Sequence, residues 1–284
     1  MQVLKRLCKN KLALAGGIVV LLFLIVGCLA PVIAPHDPLE VNVSIRLQGP
    51  SQEYWLGTDH LGRCILSRLI YGAQTTLLNS LVVLAGILLI GIPLGLISGF
   101  CGGWIDNLIM RFADIVSTFP SSLLALAVVS VFGAGLQNVM IVLVALWWAP
   151  FARILRSQVL KIKEKDFVMA AKASGTSKFK IVINHVLLNS ISPIIVYSTL
   201  RVAAVIMHIA SFSFIGLGTQ PPAADWGVML SDSKQFISTA PLMMIWPGLS
   251  IMLVVFSLNM FGEGLNEALM PGGNKKAKQL GDGE

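Results

Sequence analysis

Long apolar runs, almost free of charge, separated by short polar stretches dominate the chain. Residues 12–35, 75–99, about 115–131, 139–152, 194–217 and 242–261 make six such runs. About 20 apolar residues are enough for a helix to cross a hydrocarbon core of roughly 30 Å. The pattern therefore predicts an all-α polytopic membrane protein with six transmembrane helices. On this reading residues 1–34 hold a cytoplasmic N terminus and the first helix, and 35–74 form an extracytoplasmic segment. Residues 75–264 form a five-helix core interrupted by a cytoplasmic loop at about 153–193. Residues 265–284 are a short charged cytoplasmic tail, disordered by composition.

Composition agrees with this division: of 284 residues 55% are hydrophobic and only 12% charged. The net charge of +7 is read by side of the membrane and does not call for nucleic acid. Sixteen basic residues fall at the predicted inner face, against Arg46, Arg63, Arg68 and Lys234 outside, which places both termini in the cytoplasm. Cys8, Cys28, Cys64 and Cys101 lack any metal or disulfide spacing and read as single packed thiols. Residues 25–28 loosely fit a lipoprotein cleavage box ending at Cys28. The apolar run continuing past it, and the spans that follow, favour a retained signal anchor.

Several residues stand out against this background. Gly91, Gly95 and Gly99 recur every four residues, a spacing that lets helix backbones approach closely, within the bundle or across a dimer. Trp104 and Arg111 read as interfacial anchors after a turn at the inner face. Arg63 and Arg68 read as snorkelling side chains. Arg201 and His208 are ionisable at membrane depth, seven residues apart and so on nearly one helical face, with Ser211 continuing the stripe. They are candidates for the substrate path, with His208 as a metal donor. The alternative is structural: Arg201 snorkelling or paired with a carboxylate, His208 bonded to a backbone carbonyl. The eleven methionines read mainly as adaptable packing.

The polar stretch at 166–193, DFVMAAKASGTSKFKIVINHVLLNSISP, interrupts the hydrocarbon. Phe167, Ala170, Ala171 and Ser174 recur at helical spacing, with Asp166 as N-cap and Gly175 as the stop. Its Ala-Ala followed by Gly resembles the cytoplasmic EAA loop of bacterial ABC importer permeases, with Met169 where that loop carries Glu. HDP at 36–38, WLGTDHLGRCILSRLIYGAQTTL from Trp55, and SFSFIGLGTQPPAADWGVMLSD at 211–232 resemble the dipeptide, oligopeptide and nickel group of those permeases. Cys64 stands where that group carries Asp, and the segment before the SF-x-GLG turn is more like the nickel-type second subunit.

The resemblance implies an ABC importer type I permease fold in the bacterial inner membrane, forming half of a pore for nickel or a metal chelate, or for dipeptides or oligopeptides. It implies as partners a second homologous permease, two ATPase subunits and an extracytoplasmic substrate-binding protein. Asp166, Phe167, Met169, Ala170, Ala171, Ser174 and Gly175 would dock the ATPase. No phosphate loop of the GxxxxGK[ST] kind and no HExxH or GxSxG motif occurs, so the chain is expected to be non-catalytic and cofactor-free, ATP being used by partner subunits. A proton-coupled secondary transporter is the reading from another class. It would use Arg201, His208 and Asp114 as a relay, with helices broken near Gly91 or Pro150.

Overall fold

The computed structural model describes residue 7 and residues 9–269. Cys8 and the tail from 270 lie outside that range. Among the described residues there is no strand, only an isolated bridge between Thr58 and Cys64, so the all-α expectation holds. Helices of eight residues or more are α1 (Lys11–Cys28), α2 (Ile65–Cys101), α3 (Gly103–Ser117), α4 (Ser121–Phe132), α5 (Leu136–Ile162), α6 (Asp166–Ala173), α7 (Ser192–Phe214), α8 (Trp226–Ser233) and α9 (Leu242–Leu269).

Five of these, α1, α2, α5, α7 and α9, are long and apolar enough to cross a membrane. The count reaches six when the bent pair α3 and α4, whose axes meet at 78°, is taken as one broken span. Here the structure differs from the single third span at about 115–131, preceded by a turn, that hydropathy predicts. Residues 103–117 are a helix and not a turn, and the chain unwinds at 118–120. Pro120 supplies the physical reason, because its ring disfavours helical backbone at Phe119.

The pairing of α2 with α5 is the spine of the bundle. At about 1.5 Å per residue, α2 is roughly 55 Å long and begins ten residues before the expected start of its span. The glycine stripe lies in this contact and not on a free face. A Cβ at Gly91 would lie 3.0 Å from the Trp148 carbonyl, at Gly95 2.8 Å from the Ala152 carbonyl, and at Gly99 2.7 Å from Val159 Cβ. Glycine at each step lets the two backbones meet without a gap.

Two apolar cores follow. One joins the inner part of α2 to α5 and includes Phe151, Leu155, Val159, Val168, Ala171, Ile181 and Val186, so the cytoplasmic loop belongs to it. The other joins the outer part of α2 to α1, α7, α8 and α9 through Ile65, Leu77, Ile206, Trp226 and Val254. Leu78, Leu89, Leu123, Ile141 and Phe256 remain exposed on outward faces, as helices bathed in lipid require. Cys64 is buried, whereas Cys28 and Cys101 are exposed and so are not packed thiols within this chain.

Candidate functional site

Three clusters of chemistry-bearing residues are held by this frame. The first is α6 and its surroundings, at the end that the basic residues mark as cytoplasmic. Val168 and Ala171 turn into the core, which fixes the helix against the bundle. Phe167, Met169 and Ala170 are left exposed, as are Asp166, Ser174 and Gly175. Asp166 does not cap the helix; Lys165 holds that position without a side-chain bond, and Asp166 sits in the first turn, where its charge opposes the helix dipole favourably. Gly175 does end the helix, at φ +76°, and Thr176 N–H donates to the Ala171 carbonyl at 3.1 Å.

Two polar ties brace this end. Lys163 Nζ donates to the Gly99 carbonyl at 3.0 Å, joining α5 to the C-terminal end of α2. Arg156 on α5 makes a two-pronged pair with Asp106 on α3, both contacts at 2.5 Å, and the Ser98 hydroxyl of α2 also donates to Asp106. A planar guanidinium matched to both carboxylate oxygens fixes orientation as well as distance. The three helices therefore hold together, as one piece, the end of the bundle on which α6 packs.

The second cluster lies on α7. Arg201 donates to the Tyr197 hydroxyl, and its guanidinium sits 4.7 Å from the Tyr197 ring centre and 5.4 Å from that of Trp147 on α5. None of the ion pairs among the described residues includes Arg201, so aromatic faces and not a carboxylate stabilise its charge. One turn-pair further, His208 Nδ1 lies 2.9 Å from the Ala204 carbonyl, which fixes the proton on that nitrogen and leaves Nε2 uncommitted. Its ring meets Trp147 edge-on at 4.6 Å. Arg201 and His208 thus share one half-exposed face bordered by Trp147. Ser211, exposed, donates to the Met207 carbonyl at 2.7 Å. It borders an apolar groove of about 580 Å³ between α7 and α9, where Met207, Met244 and Met252 also lie. Among the described residues no three His, Cys, Asp or Glu side chains come together as a metal site.

The third cluster was not foreseen. Arg63 and Arg68 do not snorkel; they are 2% and 1% exposed. Arg63 Nε contacts Asp59 at 2.6 Å and its other arm reaches Asp232 at 3.0 Å; Arg68 lies 3.6 Å and 3.7 Å from the same two carboxylates. The two arginines are thus balanced by one aspartate four residues before Arg63 and another on α8. Asp59 beside two arginines was a signal in the sequence; Asp232, 169 residues away, was not. The cluster locks the extracytoplasmic segment to α8. Next to it Asp225 caps α8, accepting from Gly227 N and Val228 N at 2.9 and 3.2 Å. Burial pushes its carboxyl above the usual range, against the lowering effect of those two bonds.

The relay imagined for a secondary transporter is not assembled. Asp114 pairs with Arg153 at 2.9 Å and makes no bond to Arg201 or His208.

The family model described as "Binding-protein-dependent transport system inner membrane component" matches residues 91–272. A second, the "N-terminal TM domain of oligopeptide transport permease C", matches residues 1–50. A dipeptide transport system permease protein of Alkalihalophilus pseudofirmus is 46% identical over 94% of this chain and 88% of its own length. The nickel transport system permease protein of Escherichia coli (strain K12) is 39% identical over 84% of this chain and 86% of its own. A glutathione transport system permease protein of Pectobacterium atrosepticum is also 39% identical, over 94% and 89%. Among solved structures, the inward-facing MetNI methionine ABC transporter superposes with a TM-score of 0.58 at 17% identity, covering 72% of this chain and 98% of that one, a likeness of fold. The chain therefore belongs to the binding-protein-dependent transport system inner membrane components, as an inner-membrane permease subunit of a bacterial ABC importer whose ATP hydrolysis is carried by separate subunits.

Proposed function

We propose that this permease passes small peptides inward. Its pore is shared with a second permease of the same family. An extracytoplasmic binding protein delivers the solute, and two ATPase subunits grip the exposed face of α6. Phe167, Met169 and Ala170 supply the contact on this reading, while Ala171 serves it from behind by anchoring α6 in the core. Closure of the ATPases moves α6. The bracing by Lys163 and by the Asp106 to Arg156 pair carries that movement into α2, α3 and α5. The pore then switches between two states coupled to nucleotide.

The observation that carries the substrate class is Arg201. A guanidinium on a half-exposed membrane-depth face, held by two aromatic rings and free of carboxylates, suits a solute that brings its own carboxylate. A bare divalent cation would be repelled there. The similarity to a dipeptide permease supports the same reading.

Nickel is the second reading, favoured by the uncommitted Nε2 of His208 and by the likeness to a nickel permease. With Arg201 so near along the helix, the metal would travel inside an anionic chelate. Uptake by vesicles carrying this chain with its co-purifying partners separates the two. ATP-dependent uptake of a labelled dipeptide is expected. ATP-dependent uptake of nickel with histidine, in the absence of any peptide uptake and lost in His208→Ala, would overturn the peptide reading.

A further inference from the structure

A cavity of about 580 Å³ opens beside the C-terminal end of α2, between Phe100 and the loop that follows α6. Lys163, Lys172 and Lys178 line it with Thr176, and no carboxylate does. Neither Lys172 nor Lys178 belongs to any ion pair among the described residues. Lys163 is committed in part, through its bond to the Gly99 carbonyl, which also offsets the negative end of α2. Phe100 and Ile181 give the same cavity apolar walls. Three lysines around one partly apolar hollow, at the cytoplasmic end of a spanning helix, lack a matching anion among the described residues.

We propose that this cavity binds a phosphate diester, supplied by the headgroup of an anionic phospholipid in the inner leaflet. Depth argues for the lipid. The apolar run of α2 ends at about residue 99, beside the Phe100 and Cys101 that line the hollow, so a headgroup would reach it without leaving its leaflet, with Phe100 against the glycerol and upper acyl region. Basic pockets between helices on the cytoplasmic side are suited to such headgroups. A bound headgroup would bridge the end of α2 to the segment behind the docking helix, through Lys163 on one side and Lys172 and Lys178 on the other. It would then stiffen the link between ATPase and pore. This inference does not depend on which solute is carried.

The test uses the detergent-solubilised complex of this chain with its co-purifying partners. Phosphatidylglycerol, phosphatidylcholine and inorganic phosphate are titrated in turn and binding is read by native mass spectrometry and thermal shift. The double variant Lys172→Gln/Lys178→Gln is compared with Lys161→Gln, an exposed lysine that does not line the cavity. The proposal expects phosphatidylglycerol to bind and stabilise the wild type while phosphatidylcholine does not. The double variant should lose affinity by about 30-fold, about 2 kcal/mol, with Lys161→Gln unchanged. Phosphatidylglycerol binding that survives the double substitution overturns the site. If that variant also sheds the ATPase, the lysines serve an acidic side chain of the partner instead. Equal stabilisation by inorganic phosphate overturns the lipid as source.

Discussion

The indole of Trp226 lies over Gly72, and its Nε1 donates to the Leu69 carbonyl at 3.0 Å. This contact seats α8 on the outer part of α2. A Cβ at Gly72 would fall 2.5 Å from Trp226 Cδ1 and 2.7 Å from Nε1, and Trp226 is fully buried. The ring has nowhere to retreat. Gly72→Ala is expected to destabilise by about 1–3 kcal/mol, as over-packing does. Thermal melts of the solubilised protein check this, and combining it with Trp226→Phe should recover part of the loss. Full additivity would mean the two residues do not meet.

The four-charge cluster of Asp59, Arg63, Arg68 and Asp232 balances two cations with two anions away from water. Asp59→Asn leaves one buried guanidinium charge uncompensated. About 3–5 kcal/mol of stability should go with it, seen as a lowered melting midpoint and reduced yield in the membrane. An exposed change such as Glu53→Gln should fall within about 0.5 kcal/mol of wild type.

Asp225 combines a cap with a buried carboxyl. Because its folded pKa is raised, the folded chain holds this proton more tightly than the unfolded chain. Its contribution is most favourable below about pH 4, where an unfolded Asp is protonated. It falls as pH climbs towards the folded value and is a constant penalty above it. Asp225→Asn keeps a side-chain oxygen for Gly227 and Val228, so it should flatten that slope and hold or raise stability at pH 7. Asp225→Ala should lose about 1 kcal/mol with the cap. Melting curves across pH 4 to 8 distinguish the two.

On α6 the fold and the proposed docking role make separate predictions. Ala170→Trp changes an exposed position, so folding should be unaffected while the ATPase no longer co-purifies and transport is lost. Gly175→Val has open space around it, and its cost is conformational, about 1–3 kcal/mol for φ +76°. It too should abolish transport and ATPase coupling with the chain still in the membrane. Wild-type coupling in both variants would place the ATPase contact elsewhere.

The legible part of this molecule was the part written locally. Spans, the end of α6 at Gly175 and the close approach at Gly91, Gly95 and Gly99 each depend on residues within a few turns, so periodicity and glycine spacing reveal them. The break at Pro120 was also local, yet the apolar letters on either side outweighed it. Arg63 and Arg68 were misread because burial is a tertiary property, and Asp232 lies far along the chain. The inward turn of Ala171 likewise depends on which face of an eight-residue helix meets the core. Asp166 failed as a cap because the helix starts at it and not after it. The pairing of Arg201 with Tyr197 was within reach at a four-residue step, but Trp147 comes from another helix.

The central claim, that Arg201 receives a carboxylate of a peptide solute, meets its most direct test in ATP-driven uptake by proteoliposomes containing the whole transporter. A dipeptide and the same dipeptide with its C terminus amidated are compared in wild type and Arg201→Gln. The account predicts that amidation and the substitution each cut uptake about tenfold, and that the substitution erases the preference for the free carboxylate. Dipeptide uptake unchanged in Arg201→Gln, with the preference intact, would contradict it.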